Sequence, residues 1–382
     1  MSNKNITFFL TTDVVDDRPI YITGPFNGWN PHDEKFRLSK SQDNQFSITI
    51  QVNSESNVPF EYKYTKGGWE NVEIDIHGNI HPNRKIKGDQ VQVFDHVSRW
   101  RENWAPFKAK YFPIVELISD EFEIPQLNRT RRVWALLPYN YHQTTQRYPV
   151  LYLQDAQNLF NEGSPYGNWE IDKKLSILAE YGRGEIIIIA VEHGGEERIK
   201  EYMLDHNSLM QHGEGKKYIR FITDTLKYYV DKRYRTLPDR EHTGIGGSSL
   251  GGLISIYGGL LYPEVYSKLM VFSPSLWAIP QISFPTLRFF NPFNTKVYLY
   301  GGKKEGSNMV SKIRKFSKQL EYHDQDDERN FEMKLSINPE GKHNEYYWSQ
   351  EFPKAMEWLY FNTFKDPVET VSHNSHNHTS NS

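Results

Sequence analysis

The pentapeptide Gly247-Ser-Ser-Leu-Gly251 is the feature that most constrains the fold of this chain. It fits the pattern G-x-S-x-G with Ser249 at its centre, which is typical of a sharp strand-to-helix turn that exposes one serine hydroxyl above a sheet. Glycine stands two residues to either side because so tight a turn leaves no room for larger side chains. The context fits, since Thr243–Gly246 has the pattern of a strand end and a helical stretch from Gly252 follows. A glycine- and serine-rich turn without catalytic role is the alternative interpretation.

Length, charge and cysteine content narrow the class of protein. The chain has 382 residues, a net charge of −3 and no cysteine, so we expect two or three domains, no nucleic-acid partner, and no disulfide or thiolate site. The longest apolar run, Ile186–Val191, is too short to cross a bilayer, and the N-terminus lacks the layout of a secretory signal. We therefore expect a cytoplasmic protein without cofactor, metal ion or membrane partner. The oligomeric state stays open.

The first hundred residues alternate apolar and polar side chains over short runs separated by glycine, proline and asparagine. This pattern predicts a small all-β sandwich of immunoglobulin-like type over residues 1–98. Residues 99–128 are predicted to form a connector, because they carry prolines and an acidic run around Asp120. The aromatic residues Trp100 and Trp104 indicate that this connector packs on a domain.

Four short motifs of this β-rich region resemble the glycogen- and starch-binding modules of amylolytic enzymes and of the AMP-activated kinase β subunit. They are Ile22-Thr-Gly-Pro-Phe-Asn-Gly-Trp-Asn-Pro31, Phe60-Glu-Tyr-Lys-Tyr64, Trp69-Glu70 and Pro82-Asn-Arg84. The resemblance implies a sugar-binding platform made of Trp29, Lys63 and Trp69, in which indole faces stack on glucose rings and the ammonium binds hydroxyl groups. The alternatives are that the tryptophans belong to the core and that the module is only an interdomain platform.

From residue 129 to 365 the pattern changes to strands that alternate with helices. Continuous β-branched runs such as Glu185–Val191 are typical of a sheet covered on both faces, and the alternation predicts a mainly parallel, doubly wound α/β sheet. The predicted strands are Arg132–Leu137, Tyr148–Leu153, Glu185–Val191, Lys268–Phe272, Lys296–Tyr300 and Phe331–Ile337, and the predicted helices are Trp169–Tyr181, Tyr218–Val230, Val310–Tyr322 and Phe352–Asn362.

Two polar side chains follow later strands at the edge where active sites of such sheets lie. Glu305 is the single carboxylate in the loop after the strand that ends at Tyr300, and His343 lies in the loop after Ile337. The order serine, acid, histidine is the one that α/β-hydrolases use. We therefore predict that His343 takes the proton of Ser249 and that Glu305 orients the imidazole. The competing acids Asp324, Asp326 and Asp327 lie in a charged run, which favours a solvated surface for them.

Acyl transfer through such a serine also needs two backbone N–H donors for the oxyanion. One is expected from Leu250, directly after the nucleophile, and the other from the loop after Leu153, near Ala156 or Gln157.

The second domain resembles the esterase family that includes esterase D, feruloyl and acetylxylan esterases, and enterochelin esterase. The matching motifs are Tyr148-Pro-Val-Leu-Tyr-Leu153, Gln154-Asp-Ala-Gln-Asn-Leu-Phe160, Arg198-Ile-Lys-Glu-Tyr202, Asp231-Lys-Arg-Tyr-Arg-Thr236, Gly247-Ser-Ser-Leu-Gly-Gly252, Phe272-Ser-Pro-Ser-Leu-Trp277 and Gly341-Lys-His-Asn-Glu345. The resemblance implies an α/β-hydrolase fold and substrate-pocket residues at Trp169 and Trp277, for which a place in the core is the alternative. Asp155 is a further pocket candidate. Ala156 departs from the family, whose members usually carry glycine there.

Three functional hypotheses remain. The leading one is a serine hydrolase that cleaves a carbohydrate-linked or siderophore-type carboxylic ester. Enterochelin esterases also pair a β-rich N-terminal domain with this hydrolase, but that layout is an analogy only. The alternatives are a glucan-binding protein with a weakly active hydrolase domain and an acyltransferase to a sugar hydroxyl. The histidine-containing tail, residues 366–382, is predicted to be disordered and solvated.

Overall fold

The computed structural model describes residues 3–14, 16–42, 44–53, 60–86, 90–103, 105, 107–160, 167–183, 185–204, 212–278, 294–322 and 331–361. Several predictions fall outside these residues: those on Trp104, on the competing acids Asp324, Asp326 and Asp327, and on the tail.

The N-terminal part is all-β, as predicted. Its strands are β1 (Asn3–Thr12), β2 (Tyr21–Thr23), β3 (Ser39–Gln42), β4 (Gln45–Asn53), β5 (Glu61–Thr65), β6 (Glu73–Ile74), β7 (Arg84–Lys85), β8 (Gln92–Val97) and β9 (Arg99–Trp100). They form sheets of the orders β3-β4-β1-β8, β2-β5-β7 and β6-β9. Because side chains alternate along a strand, Phe8 and Leu10 of β1 and Tyr62 and Tyr64 of β5 enclose one apolar core.

The rest of the chain is built around an eight-stranded sheet with the strand order β10-β11-β13-β12-β14-β15-β16-β17. Its strands are β10 (Ile114–Ile124), β11 (Arg129–Leu137), β12 (Val150–Gln154), β13 (Ile187–Val191), β14 (Thr243–Ser248), β15 (Lys268–Phe272), β16 (Thr295–Gly302) and β17 (Phe331–Asn338). The six strands from β12 onward are parallel, and β10 and β11 are antiparallel additions at one edge. The predicted mainly parallel sheet is thereby confirmed.

Strand β10 differs from the expectation for the connector. The prolines before it and the acidic run around Asp120 favour a linker, yet residues 114–124 form a strand that pairs with β11. Acidic side chains suit this position because β10 is an edge strand with one face in solvent. The connector also contributes Trp100, which is 5% exposed and lies in the core of the β-rich part.

Helices cover both faces of the large sheet. They are α1 (Ile171–Glu180), α2 (Arg198–Tyr202), α3 (Gly215–Arg220), α4 (Lys227–Arg233), α5 (Leu250–Leu261), α6 (Met309–Tyr322) and α7 (Glu345–Tyr360). One core cluster includes Ile245 and Leu253, and the other includes Phe272 and Phe352. Helix α7 begins seven residues before its predicted start, because the side chain of Asn344 caps it by accepting from the Tyr347 amide at 3.4 Å. In the described ranges no helix has the length and apolarity to cross a membrane.

The parallel direction of the strands determines where the functional loops meet. Strands β14, β16 and β17 all end at the same edge of the sheet. The residues that follow these ends are Ser249, Glu305 and His343, so the topology alone places them in one neighbourhood.

Candidate active site

Ser249 lies at the sharp junction of β14 and α5. Its backbone has φ 56° and ψ −121°, a conformation that serine rarely adopts, and its amide donates to the Phe272 carbonyl at 2.9 Å. A Cβ on Gly247 would lie 2.8 Å from the backbone carbon of Gly251, and one on Gly251 would lie 2.9 Å from Asp155 Oδ2. The two glycines are therefore required by close packing around the serine, as the sequence indicates.

The three side chains predicted as a triad are in hydrogen-bond contact. His343 Nε2 lies 3.1 Å from Ser249 Oγ, and His343 Nδ1 lies 2.9 Å from Glu305 Oε2. The Glu305 side chain is 0% exposed, whereas that of His343 is 36% exposed. Because a carboxylate only accepts, Nδ1 carries the proton and Nε2 is left to accept the proton of Ser249.

The other oxygen of Glu305 is held by two donors. Glu305 Oε1 accepts from Ser273 Oγ at 2.7 Å and from the Gly302 amide at 2.6 Å. Ser273 Oγ in turn accepts from Trp348 Nε1 at 2.9 Å. In the sequence, Ser273 directly follows the strand that ends at Phe272 and stands in a family motif without a role, and Trp348 lies outside the motifs, so neither is predicted as a functional residue.

A second hydroxyl lies next to the serine. Ser275 Oγ is 3.1 Å from Ser249 Oγ, and the Ser275 amide donates to the Ser249 carbonyl at 3.1 Å. In the sequence, Ser275 stands inside a family motif without a predicted role. Ser275 lies in the segment that follows β15, and its hydroxyl is a second hydrogen-bonding partner of the Ser249 hydroxyl.

The predicted oxyanion donors lie where two loops meet. The Leu250 amide is the first of α5 and has no partner within the helix. Gln154 and Asp155, which directly precede Ala156, lie close to the start of α5, since a Cβ on Gly251 would lie 3.1 Å from Gln154 Cβ and 2.9 Å from Asp155 Oδ2. The side chain of Gln157 is engaged by the backbone of His193, with which it exchanges two hydrogen bonds of 3.1 and 3.0 Å.

Asp155 is held by an ion pair. It is 4% exposed, and Arg198 of α2 binds both of its oxygens, at 2.7 and 2.8 Å. The backbone of Asp155 is left-handed, with φ 61°, directly before Ala156. The ion pair therefore fixes the loop that is predicted to supply the second oxyanion donor, and Arg198, which stands in a family motif without a predicted role, acts on this loop.

The two tryptophans predicted for the pocket lie in different surroundings. Trp169 is 2% exposed and stacks on Phe272 at 5.1 Å, so its ring belongs to the core and not to an open pocket. Trp277 is 48% exposed and lines a cleft of about 470 Å³ together with Glu305, His343, Met309 and Lys312. His343 therefore lies at the wall of an open cleft, next to the exposed ring of Trp277.

Glu345 is a buried acid near this site. It is 7% exposed, and its Oε1 accepts from Asn158 Nδ2 at 3.3 Å. Burial raises the pKa of the Glu345 carboxyl above its ordinary value. Its contact with Asn158 connects the start of α7 with the loop that contains Ala156 and Gln157.

The predicted sugar platform is only partly assembled. The rings of Trp29 and Trp69 lie 6.4 Å apart at 39°, and both residues are half-buried. Lys63 is 8% exposed, and its ammonium donates to the His81 carbonyl. Burial lowers the pKa of Lys63. The two indoles are thus neighbours, while the ammonium is engaged by the backbone.

Within the described part of the chain, no group of three histidine, aspartate or glutamate side chains is arranged to hold a metal ion. The polar side chains around Ser249 are engaged with one another, as described above.

Comparison with known proteins identifies the family of the large sheet. The family model described as "Putative esterase" matches residues 124–359. The uncharacterized protein YbbA of Bacillus subtilis is 27% identical over 240 residues, which cover 60% of this chain and 92% of that protein. An amylopullulanase of Thermoanaerobacter thermohydrosulfuricus is 35% identical over 130 residues, which cover 31% of this chain but 8% of the amylopullulanase.

Two solved structures share the fold. The IroE-like serine hydrolase of Shewanella oneidensis has a TM-score of 0.51 and 16% identity, and the match covers 65% of this chain and 80% of that one. The enterobactin esterase FES of Shigella flexneri has a TM-score of 0.50 and 14% identity over 93% of this chain and 92% of its own. At such identities the likeness concerns the fold.

Proposed function

The chain belongs to this esterase family and is a carboxylic ester hydrolase, and from that premise we propose that Ser249, His343 and Glu305 are its catalytic triad. The observation that carries the proposal is the chain of hydrogen bonds from Ser249 Oγ through His343 to Glu305, with distances of 3.1 and 2.9 Å. Three side chains distant in sequence meet in the order and geometry that acyl transfer requires.

In the first half of the reaction, Ser249 Oγ attacks the carbonyl carbon of the ester while its proton passes to His343 Nε2. Glu305 stabilises the resulting imidazolium through Nδ1. When the tetrahedral intermediate collapses, the bond between the carbonyl carbon and the alcohol oxygen breaks, and the departing alcohol takes the proton from His343. The acyl group remains on Ser249.

In the second half, a water molecule takes the place of the alcohol. His343 removes a proton from the water as it attacks the acyl carbon, and returns that proton to Ser249 Oγ when the acid is released. The oxyanion of both intermediates is placed between the Leu250 amide and the amide of Ala156 or Gln157. Preorganised backbone donors of this kind stabilise charge that develops only in the transition state.

The proposed substrate is an ester carried by a carbohydrate. Supporting features are the neighbouring indoles of Trp29 and Trp69, the similarity to an amylopullulanase, and the exposed ring of Trp277 beside the triad. A siderophore-type ester is the alternative, and it is motivated by the fold shared with the enterobactin esterase over nearly the whole chain. A panel of acylated sugars and catechol esters separates the two.

The test of the triad is hydrolysis of p-nitrophenyl acetate by the full chain and by Ser249→Ala. We expect the variant to lose at least a thousandfold in kcat/KM, because the residual rate then comes only from binding and the oxyanion donors. Ser311→Ala is the matched control, since Ser311 is an exposed residue of α6 and its hydroxyl donates to the Asn308 carbonyl. Equal rates for Ser249→Ala and wild type would remove the assignment.

A second candidate function is glucan binding by the β-rich part, which we propose to be a domain of residues 1–98 next to a hydrolase domain of residues 129–365. The intervening residues 99–128 contribute β9 to the β-rich part and β10 to the large sheet. The adjacent indoles of Trp29 and Trp69 favour it. Affinity electrophoresis in glycogen should retard the full chain, and Trp69→Ala should abolish the retardation. Equal mobility with and without glycogen would exclude this function, and product analysis with added glucan separates hydrolysis from acyl transfer to a sugar.

A further inference from the structure

The oxygen of Glu305 that does not contact His343 is the end of a buried polar chain. Trp348 Nε1 donates to Ser273 Oγ at 2.9 Å, and Ser273 Oγ donates to Glu305 Oε1 at 2.7 Å. Ser273 is 0% and Trp348 4% exposed. Because an indole N–H only donates, it occupies the acceptor side of the Ser273 hydroxyl and leaves the hydroxyl proton for the carboxylate.

The backbone of Ser273 indicates that its hydroxyl is needed. Its φ is 45°, in the left-handed region that glycine adopts without cost and serine does not. The amide of Ser273 donates to the Tyr300 carbonyl at 2.8 Å, an interaction that glycine would also make. Neither the conformation nor the backbone hydrogen bond therefore accounts for a serine here, whereas the hydroxyl between an indole and a carboxylate does.

Trp348 contacts the histidine as well. The rings of His343 and Trp348 meet edge to face, with centroids 5.0 Å apart at 83°. Trp348 lies on α7, which begins two residues after His343. The same indole therefore packs against the imidazole and, through Ser273, directs the hydroxyl that binds the acid.

We propose that Ser273 and Trp348 are positioning residues that hold the Glu305 carboxylate in the orientation required by His343. The inference rests on the proposed triad. Two donors on Oε1, the Ser273 hydroxyl and the Gly302 amide, leave Oε2 as the acceptor for Nδ1 and prevent the carboxylate from rotating. Both residues are buried from solvent and neither lines the cleft beside His343, so their loss affects the reaction step and not the binding of substrate.

The test compares Ser273→Gly and Trp348→Phe with wild type in the full chain. Glycine fits the backbone conformation and removes only the hydroxyl, while phenylalanine keeps a ring beside His343 and removes the N–H donor. With p-nitrophenyl acetate we expect kcat to fall about tenfold for Ser273→Gly and about threefold for Trp348→Phe, with KM within about twofold of wild type. The downfield NMR resonance of the hydrogen-bonded His343 Nδ1 proton should weaken in both variants.

Trp358→Phe is the matched control, because Trp358 lies on the same helix but packs on Tyr298 at 6.0 Å. It should keep the wild-type kcat and resonance. Each rate is divided by the number of active sites, which is measured as the amount of protein that a fluorophosphonate has labelled when the labelling is complete. Molecules that are unfolded are therefore not counted, and a lower rate reports a loss of positioning. Wild-type kcat and resonance in Ser273→Gly and Trp348→Phe, with Ser249→Ala inactive, would overturn the positioning role alone. An active Ser249→Ala would overturn the proposed triad and this inference with it.

Discussion

Replacement of Glu305 by glutamine is expected to inactivate the enzyme through the tautomer of His343. In the variant, the side-chain amide has one oxygen and one NH₂ group, and the surroundings determine which faces the imidazole. The Gly302 amide lies 2.6 Å from Oε1 and only donates. The oxygen of glutamine must therefore occupy that position, and its NH₂ group is turned toward His343 Nδ1.

This orientation reverses the protonation of the ring. Nδ1 has to accept from the NH₂ group, so the proton moves to Nε2, which then no longer accepts the proton of Ser249. A wrong tautomer of this kind costs about four orders of magnitude in kcat, which corresponds to about 5 kcal/mol of transition-state stabilisation. The backbone needs no adjustment, because glutamate and glutamine have the same shape, and the thermal midpoint should change little.

The assay is steady-state hydrolysis of p-nitrophenyl acetate by wild type, Glu305→Gln and the control Glu340→Gln. Glu340 lies in the loop after β17, its side chain is 69% exposed, and it pairs with Lys304. Its replacement should therefore leave kcat/KM unchanged. A Glu305→Gln variant within about tenfold of wild type would refute the assignment of the acid and the reasoning about the tautomer.

Three further predictions follow from the surroundings of the triad. Arg198→Lys should lower kcat about tenfold in the same assay, because a lysine cannot bind both oxygens of Asp155 and the oxyanion loop is then free to shift; an unchanged kcat would show that the ion pair does not position the loop. Gly251→Ala should lower kcat at least tenfold, since its Cβ would lie 2.9 Å from Asp155 Oδ2; full activity would contradict that packing. Glu345→Gln should raise the thermal midpoint at pH 8 but not at pH 4. Burial raises the pKa of the Glu345 carboxyl in the folded state, so the ionised carboxylate lowers the stability of the fold above that pKa. This loss of stability disappears as the pH falls below the pKa that the carboxyl has in the unfolded chain. An equal gain at both pH values would contradict burial of a charge as the cause.

Sequence patterns predicted the elements whose burial is uniform. The β-branched run that forms β13 is buried at every position, and such a run fits only a sheet covered on both faces. The meeting of the three side chains of the proposed triad was predictable for a related reason. Parallel strands bring their carboxyl ends together. A serine, a glutamate and a histidine that follow three such ends can therefore be predicted to lie close together without knowledge of the loop conformations.

Other features depend on contacts that no local pattern records. Strand β10 lies at an edge of the sheet, where Asp120, Glu121 and Glu123 are exposed, and in the sequence this acidic run after two prolines favours a connector. The sequence around Trp169 does not distinguish a tryptophan that lines a pocket from one in the core, and in the structure Trp169 is buried against Phe272. The roles inferred for Arg198 and Ser273 arise from partners that lie 43 and 32 positions away in the chain, at Asp155 and Glu305.

The nucleophile is the central element of this account, and covalent labelling tests it most directly. The full chain is incubated with a fluorophosphonate until p-nitrophenyl acetate hydrolysis stops, and the adduct is located by tandem mass spectrometry. We predict one adduct per chain, on Ser249 and on neither of the nearby hydroxyls Ser248 and Ser275. Complete loss of activity with the adduct on another residue, or with Ser249 unmodified, would contradict the account.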